Sequence, residues 1–280
     1  MTPPTALRAP LHLTKHHGAG NAFLIVVDRD GGSPLDPDLV RALCHPSRGI
    51  GADGVIRVSA GQGRADLAME LRNADGSGAE MSGNGVRCLA QAAVEAELVT
   101  PPTFTVWTEA GVRTVDYRPG RTPGAADASV DMGLPVLGDD QPQTFPDRRV
   151  RQVDLGNPHL VLLGPDPSEV DVAGVGARLQ GVHPGGINVE FIAVGPGPDD
   201  ITLRVWERGV GETAACGTGS VAAAAAARSW GLVGESVAVH NPGGTLRVTL
   251  DPSGARLSGP VRKVADIEVD RAEILEAAAP

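Results

Sequence analysis

Short runs of alternating apolar and polar residues make up most of the first half of the chain, a pattern typical of strands that bury one face. These runs predict strands at LHLTKH, NAFLIVVD, GVIRVS, DLAMELRN and, as a hairpin, FTVWTEAGVRTVDYRP. Apolar residues spaced three and four apart predict helices at LDPDLVRALCHP and from residue 84 to about residue 98. The stretch 118–129 is rich in Gly and Pro and predicts a linker.

The second half shows the same order of patterns. Alternating runs predict further strands at ASVDMGL, RRVRQVDLGNPHLVLLG, INVEFIAV, DITLRVWERG and a closing meander over residues 236–264. Helical spacing predicts a short helix at DVAGVGARLQG and a longer helix after Cys216. A repeated order of elements indicates an internal duplication.

The proposed duplication divides the chain into two pseudo-symmetric domains of α/β (α+β) class. A local echo supports it, because Asn21-Ala-Phe-Leu-Ile is similar to Asn188-Val-Glu-Phe-Ile. We expect domains at 1–122 and 123–264, with residues 265–280 returning to the first domain. The period is too long for a solenoid.

One motif occurs twice and carries the chemistry. Ser82 is followed by Gly-Asn-Gly and an apolar helical run, and Cys216 is followed by Gly-Thr-Gly and a second apolar run. Each motif places a Ser or Cys side chain at the positive end of a helix, where free N–H groups favour an anion or a thiolate. Two such ends that face each other form a two-sided site for proton transfer at one carbon. The two halves differ in that the first has Ser where the second has Cys.

Composition and charge narrow the classes of function. The 280 residues carry a net charge of −10 without a basic block, which argues against nucleic-acid partners and anionic membrane surfaces. No apolar run approaches 18 residues, and the N-terminus lacks the apolar segment of a signal peptide. Three widely spaced cysteines favour a reducing, cytoplasmic environment over a disulfide framework.

Polar residues near the two motifs indicate an amino-acid ligand. Glu207-Arg208 precedes the Cys216 loop and is either a surface ion pair or a clamp, with Arg for a carboxylate and Glu for an ammonium group. The Gly-Asn-Pro-His segment aims His159 from a strand start, although a lone His is more often structural. Cys44 and Cys88 are predicted to be core residues.

Cofactor sites are not indicated. The GAGNAF segment lacks the third Gly of a dinucleotide fingerprint, and the histidines at 12, 16 and 17 have no metal-ligand spacing around them. Lys15 and Lys263, the only lysines, lie outside any phosphate-binding context that pyridoxal phosphate requires. We therefore expect no cofactor, no metal and a small-molecule amino acid as the partner.

The ordered motifs identify a family. The chain resembles diaminopimelate epimerases through HGAGNAFLIVVD, GIGADGVI, NADGSGAEMSGNGVRC, GNPHLV, INVEFIAV and ERGVGETAACGTGSVAAA. The resemblance covers almost the whole length. It implies two domains, each a curved mixed sheet around a central helix, and cofactor-independent interconversion of LL- and meso-diaminopimelate in lysine and peptidoglycan precursor synthesis. It also implies a homodimer.

The resemblance also assigns site residues by position. Two cysteines flank the substrate α-carbon in the family, and these positions hold Cys216 and Ser82 here. His159 and Glu207 match the residues that tune the bases. The implied substrate contacts are Asn21, Asn73, Gly83, Asn84, Asn157, Asn188, Glu207, Arg208, Gly217 and Thr218. Gly54 stands where many members have a substrate-contacting Gln, and Cys88 is the family's non-catalytic cysteine.

The serine leaves several alternatives open. The chain is either a Cys→Ser form of an ordinary epimerase, engineered to trap ligand or block oxidation, or a natural variant in which His159 activates Ser82. One-sided chemistry, such as proton exchange or β-elimination on another polar amino acid, is a further alternative, as is racemisation of such an amino acid. The last alternative is a non-catalytic relative that binds an amino acid.

Overall fold

The chain folds into seventeen strands and five α-helices within the part described by the computed structural model, which is residues 10–29, 31, 35–140 and 148–278. The first half contains β1 (Leu11–Gly18), β2 (Asn21–Val27), α1 (Pro37–Cys44), β3 (Gly54–Ala60), β4 (Leu67–Asn73), β5 (Gly78–Ala79), α2 (Gly83–Glu95), β6 (Thr103–Thr108), β7 (Gly111–Pro119) and β8 (Ala125–Gly133).

The second half contains β9 (Val136–Asp140), β10 (Arg149–Asp154), β11 (Pro158–Leu163), a 3₁₀ turn (Pro167–Glu169), α3 (Val172–Val182), β12 (Asn188–Val194), β13 (Asp200–Glu207), β14 (Gly211–Thr213), α4 (Gly217–Ser229), β15 (Ser236–Asn241), β16 (Gly244–Asp251), β17 (Gly254–Val269) and α5 (Arg271–Ala278). The predicted helices and strands at these positions are confirmed.

Strand pairing closes the first half into an eight-stranded barrel. The order is β1, β2, β3, β4, β6, β7, β8, β17 and back to β1. The pairs β2–β3 and β4–β6 are parallel and the other six are antiparallel. Helix α2 packs inside against β1, β2, β8 and β17. The fold is therefore a mixed α+β fold with a curved sheet around a central helix.

The second half repeats this pairing scheme. Its order is β10, β11, β12, β13, β15, β16 and β17, with parallel pairs at β11–β12 and β13–β15, and with β9 beside β10. Helix α4 packs inside against β10, β11, β12 and β16. The two halves are thus pseudo-symmetric, as expected.

The pairing corrects the internal echo. By position in the sheet, β2 corresponds to β11 and β3 to β12, so Asn21 is equivalent to Asn157 and Asn188 is equivalent to Gly54. The predicted equivalence of Asn21 and Asn188 is wrong. The segments after Asn21 and Asn188 look alike because any buried strand is a short run of apolar residues.

The predicted linker at 118–129 is also wrong. Arg118 lies in β7, and β8 begins at Ala125, with Arg118 paired to Asp127 across a hairpin. Five residues, 120–124, lie between the two strands, and Gly120 N–H donates to Ala125 O at 2.8 Å. Gly and Pro here serve a tight turn and not an interdomain tether.

The long strand β17 joins the halves. Its early residues pair with β16 in the second half, and residues 262–269 pair with β1 in the first. The domain limits 1–122, 123–264 and 265–280 stay a prediction. Within the described residues, no helix has the length and apolarity needed to cross a membrane.

The interior of each half suits a chain poor in aromatic residues. In α4, Ala222–Ala227 are all buried, so the strands pack directly on a narrow helix. Alanine also has the highest intrinsic helix propensity, so the same residues favour the helix and its close packing. The result is that the N-termini of α2 and α4 are held by the sheets at the junction of the two halves.

Candidate active site

The N-termini of α2 and α4 meet. A Cβ placed on Gly217 would lie 2.9 Å from the backbone nitrogen of Asn84 and 3.0 Å from the Cα of Gly83. Only glycine allows such an approach, because real Cβ contacts are longer. The two Gly-x-Gly motifs therefore serve to bring the positive ends of two helices together, as the sequence predicts.

Ser82 and Cys216 occupy equivalent positions as the N-caps of these helices. Ser82 Oγ accepts from the N–H of Gly85 at 3.0 Å, and Cys216 Sγ accepts from the N–H of Gly219 at 3.3 Å. Both cap residues have extended backbone. Each heteroatom is thus held where the helix dipole favours negative charge.

A cavity of about 480 Å³ lies between the halves and contains both caps. Most predicted site residues line it, namely Asn21, Asn73, Ser82, Asn157, Asn188, Glu207, Arg208, Cys216 and Thr218. The lining does not include Gly83, Asn84, Gly217 or His159. Gly83 and Gly217 have no side chain and that of Asn84 is fully buried, so these three residues can offer a ligand only their backbone groups at the helix ends.

Carboxylates surround the Cys216 thiol. Burial, together with the charges of Glu207 and Glu190, raises the pKa of Cys216, while bonds from Thr218 and Gly219 oppose the rise. Burial likewise raises the pKa of Glu207 to about 7, and Glu207 hydrogen-bonds both Cys216 and the hydroxyl of Thr213. In the ligand-free site the thiol is therefore protonated, with a carboxyl group of pKa near neutrality beside it.

An asparagine network crosslinks the halves. Asn84 Nδ2 donates to Asn21 Oδ1 at 3.1 Å and to Ala215 O, next to Cys216, at 3.0 Å. Asn21 Nδ2 in turn donates to Asp53 at 2.7 Å. The Asn84 side chain is fully buried, so it fixes the geometry of the two helix ends.

Glu207 and Arg208, the residues of the predicted clamp, both line the cavity. Arg208 is the only Lys or Arg among the described residues that line the cavity, and its guanidinium lies 3.2 Å from Glu80 of the first half. Its backbone N–H donates to Asn188 Oδ1 at 2.9 Å. Arg208 is thus positioned for a ligand carboxylate, with Glu80 as a competing anion.

His159 does not contact Ser82. One ring nitrogen bonds Glu190 at 2.7 Å and the other bonds Asn157 at 3.1 Å. Both nitrogens are engaged on the Cys216 side, so the hypothesis that His159 activates Ser82 finds no support in this geometry.

The sequence reasoning missed several polar residues of the site, among them Asp53, Asp75, Glu80, Glu190 and Thr213. A signal existed for Glu190, because a carboxylate in the apolar run INVEFIAV has to be paired when it is buried. Glu80 gave no signal, since its partner lies 128 residues away.

Other predictions concern residues outside the cavity. Cys44 and Cys88 are buried in the core, as predicted, and burial raises the pKa of each to about 12. A Cβ on Gly54 would lie 2.6 Å from Arg72 O, so this backbone has no room for Gln. No group of three or more metal-ligating side chains occurs in the part of the chain described here.

Comparisons with known proteins agree with this geometry. The family model described as diaminopimelate epimerase matches residues 13–137 and 151–264. The chain is 41% identical over 275 residues to the diaminopimelate epimerase of Corynebacterium glutamicum strain R, across 91% of this chain and 96% of the relative. It is 40% identical over 277 residues to that of Thermobifida fusca strain YX, across 92% and 98%.

Solved structures share the fold. A hydroxyproline epimerase from Agrobacterium vitis matches with a TM-score of 0.73 at 17% identity, over 93% of this chain and 91% of that chain. A phenazine biosynthesis protein of the PhzF family from Bacillus anthracis matches with a TM-score of 0.70 at 15% identity, over 93% and 99%. At such identities the likeness concerns the fold alone.

Proposed function

Because the chain belongs to the diaminopimelate epimerase family, we propose that it acts on diaminopimelate and inverts its α-carbon between the LL and meso forms. The observation that carries this proposal is the meeting of two helix N-termini at one cavity, with Cys216 and Ser82 as their caps. Inversion requires a proton acceptor on one face and a donor on the other, and this arrangement supplies both without a cofactor.

The proposed roles follow from position. Cys216 removes the α-proton as thiolate, and Glu207, which hydrogen-bonds it, receives the thiol proton during activation. Ser82 donates to the opposite face. Arg208 and the N–H groups at Gly217 and Thr218 hold the α-carboxylate, since both helix ends favour an anion.

The second amino-acid end of the substrate lies in the wider part of the cavity. Asn73 and Asn157 line it with amide groups, and Asp75 lines it with a carboxylate that suits an ammonium group. Asn21, Asn84 and Asn188 support this wall through their bonds to Asp53, Ala215 O and Pro158 O. Gly83 is the last of the proposed substrate contacts, and it contacts the substrate through its backbone. A homodimer and a cytoplasmic location complete the proposal on the family resemblance alone.

A one-sided reaction is the second candidate, and Ser82 is the observation that favours it. A serine hydroxyl is much less acidic than a thiol, so it is a poor partner for a thiolate in a symmetrical exchange. In this case Cys216 removes and returns the α-proton on one face only. The protein then exchanges α-protons, or eliminates a β-substituent, without inversion.

Deuterium uptake distinguishes the two. LL- and meso-diaminopimelate are incubated separately in D₂O, with α-deuteration followed by NMR and configuration by chiral chromatography. Deuteration with inversion from both forms supports the epimerase. Deuteration restricted to centres of one configuration, without inversion, supports one-sided chemistry. Absence of deuteration together with tight binding means that the protein binds the amino acid without turning it over.

A further inference from the structure

The two halves of the molecule differ directly behind their bases. In the Ser82 half, a Cβ on Gly85 would lie 2.9 Å from Cδ1 of Ile56. In the Cys216 half, a Cβ on Gly219 would lie 2.7 Å from Oε1 of Glu190. Glu190 therefore occupies the position that the first half fills with an isoleucine.

The neighbouring position differs in the same way. His159 pairs with Asn188 between two parallel strands, and in the first half Phe23 pairs with Gly54 in that register. A Phe–Ile pair in one half is thus a His–Glu pair in the other. Since the fold forms with apolar residues at these positions, the charged pair is not a requirement of folding.

Glu190 is a costly residue for a protein interior. It is fully buried, as is His159, and its Oε1 lies 2.7 Å from His159 Nδ1. Its Oε2 is buried and accepts no hydrogen bond from any residue that the structure describes. Burying a carboxylate with one oxygen unpaired destabilises a protein unless a nearby cation compensates it.

A chain of hydrogen bonds leads from this pair to the sulfur. His159 Nε2 lies 3.1 Å from Asn157 Oδ1, and Asn157 Nδ2 donates to Thr218 Oγ1 at 3.3 Å. Thr218 Oγ1 in turn lies 3.4 Å from Cys216 Sγ. Because Thr218 Oγ1 accepts from Asn157, the hydroxyl hydrogen of Thr218 is left for the sulfur.

We infer that Glu190 is a positioning residue, whose carboxylate holds the His159 ring in its contact with Asn157 and thereby directs the Thr218 hydroxyl hydrogen toward Cys216. The inference deepens the proposed function, because it concerns how Cys216 is held as a thiolate. The Ser82 half has no such chain at the equivalent positions, where Phe23 and Ile56 lie.

The test is Glu190→Gln, read by alkylation of Cys216 with iodoacetamide and by ¹⁵N NMR of the His159 ring. We expect alkylation and α-proton exchange to slow by about 100-fold, on the scale of lost carboxylate–histidine partners, and the ¹⁵N shifts of the His159 ring to change. Cys44 and Cys88 serve as internal controls. Alkylation and the ring spectrum need no substrate, so they remain informative if diaminopimelate is not turned over.

The opposite result has a clear physical meaning. As a negative charge, Glu190 contributes to the raised pKa of Cys216, so a purely electrostatic role predicts faster alkylation in the Gln variant. Faster or unchanged alkylation, or ¹⁵N shifts of the His159 ring that are the same in the Gln variant and the unmodified protein, overturn the inference.

Two further variants separate positioning from folding. The double variant His159→Phe with Glu190→Ile copies the first half. It is expected to fold, and its Cys216 is expected to be alkylated as slowly as in the Glu190→Gln variant. Gln91→Leu is the matched control. It removes the hydrogen-bond partner of His16, a histidine that is as fully buried as His159, is bonded to Gln91 at 3.0 Å and lies outside the cavity. Gln91→Leu is expected to leave alkylation of Cys216 unchanged. If it slowed this alkylation as much as Glu190→Gln does, the slowing would be a general effect of disturbing a buried hydrogen bond.

Discussion

Replacing Ser82 with Cys is expected to accelerate inversion by about 5,000-fold. The pKa of a thiol is about 8.5, while the pKa of an alcohol is far higher, near that of water. The gap of about 7 units corresponds to about 10 kcal/mol between the two protonation states. If about half of the charge has developed in the transition state, the activation free energies with Ser and with Cys differ by about half of this gap, or about 5 kcal/mol.

The surroundings of Ser82 do not compensate for the difference in pKa between an alcohol and a thiol. Its Oγ accepts one N–H at 3.0 Å, as Cys216 Sγ does at 3.3 Å, so the helix end stabilises both anions similarly. A helix N-terminus contributes up to about 2 kcal/mol, which is well below the gap. Ser82 lines the cavity, so the larger sulfur extends into open space.

The assay is the inversion rate of LL-diaminopimelate by chiral chromatography, compared with α-deuteration in D₂O. Ser82→Ala is the matched control, because it removes the donor and one capping bond, at a cost of about 1 kcal/mol in stability. We expect inversion to fall in the order Cys, Ser, Ala, with deuteration by Cys216 preserved in all three. Equal inversion rates for Ser82 and its Cys variant would refute the reasoning, since the residue would then not exchange protons with substrate.

The other predictions concern the junction, the clamp and pH. Gly217→Ala places a methyl group against the backbone of the opposite helix and is expected to lower Tm and abolish activity, whereas Gly181→Ala, with open space around it, is expected to raise stability by about 0.5–1 kcal/mol. Glu80→Gln removes the anion that competes for Arg208 and is expected to lower the Kd for substrate several-fold by calorimetry. Because the pKa of Glu207 is raised to about 7 from 4.5, its contribution to stability is present below pH 4.5 and is lost as pH rises through 7. Glu207→Gln is expected to flatten urea-unfolding stability over that window.

Local signals account for the parts of the fold and site that the sequence predicts well. The Ser82 and Cys216 caps are set by Gly-x-Gly and the apolar run that follows, all within one helical turn. Strand positions follow from alternation in the same way. The barrel closure, in contrast, depends on pairs such as Leu11 with Val269, which no window of the sequence contains.

The mistaken assignments have the same origin. The match between Asn21 and Asn188 compared two apolar strands by composition, whereas their places in the sheet depend on which strands pair. The pairs Glu80–Arg208 and His159–Glu190 join residues 128 and 31 apart. A charged residue in an apolar strand signals that a partner exists, but only the pairing shows which residue it is.

The pseudo-symmetry of the two halves allows the surroundings of Ser82 to be compared with those of Cys216. If the halves were interchangeable, Ser82 would be a simple loss on one side of a symmetrical pair. Instead the Cys216 half contains His159 and Glu190 where the Ser82 half contains Phe23 and Ile56, so the two sides differ in two places besides the base. A polar relay suits the group that has to start as an anion, and an apolar wall suits a group that starts neutral and donates. Under the proposed function, the Cys216 side is therefore the one suited to begin the reaction, with Ser82 as the donor.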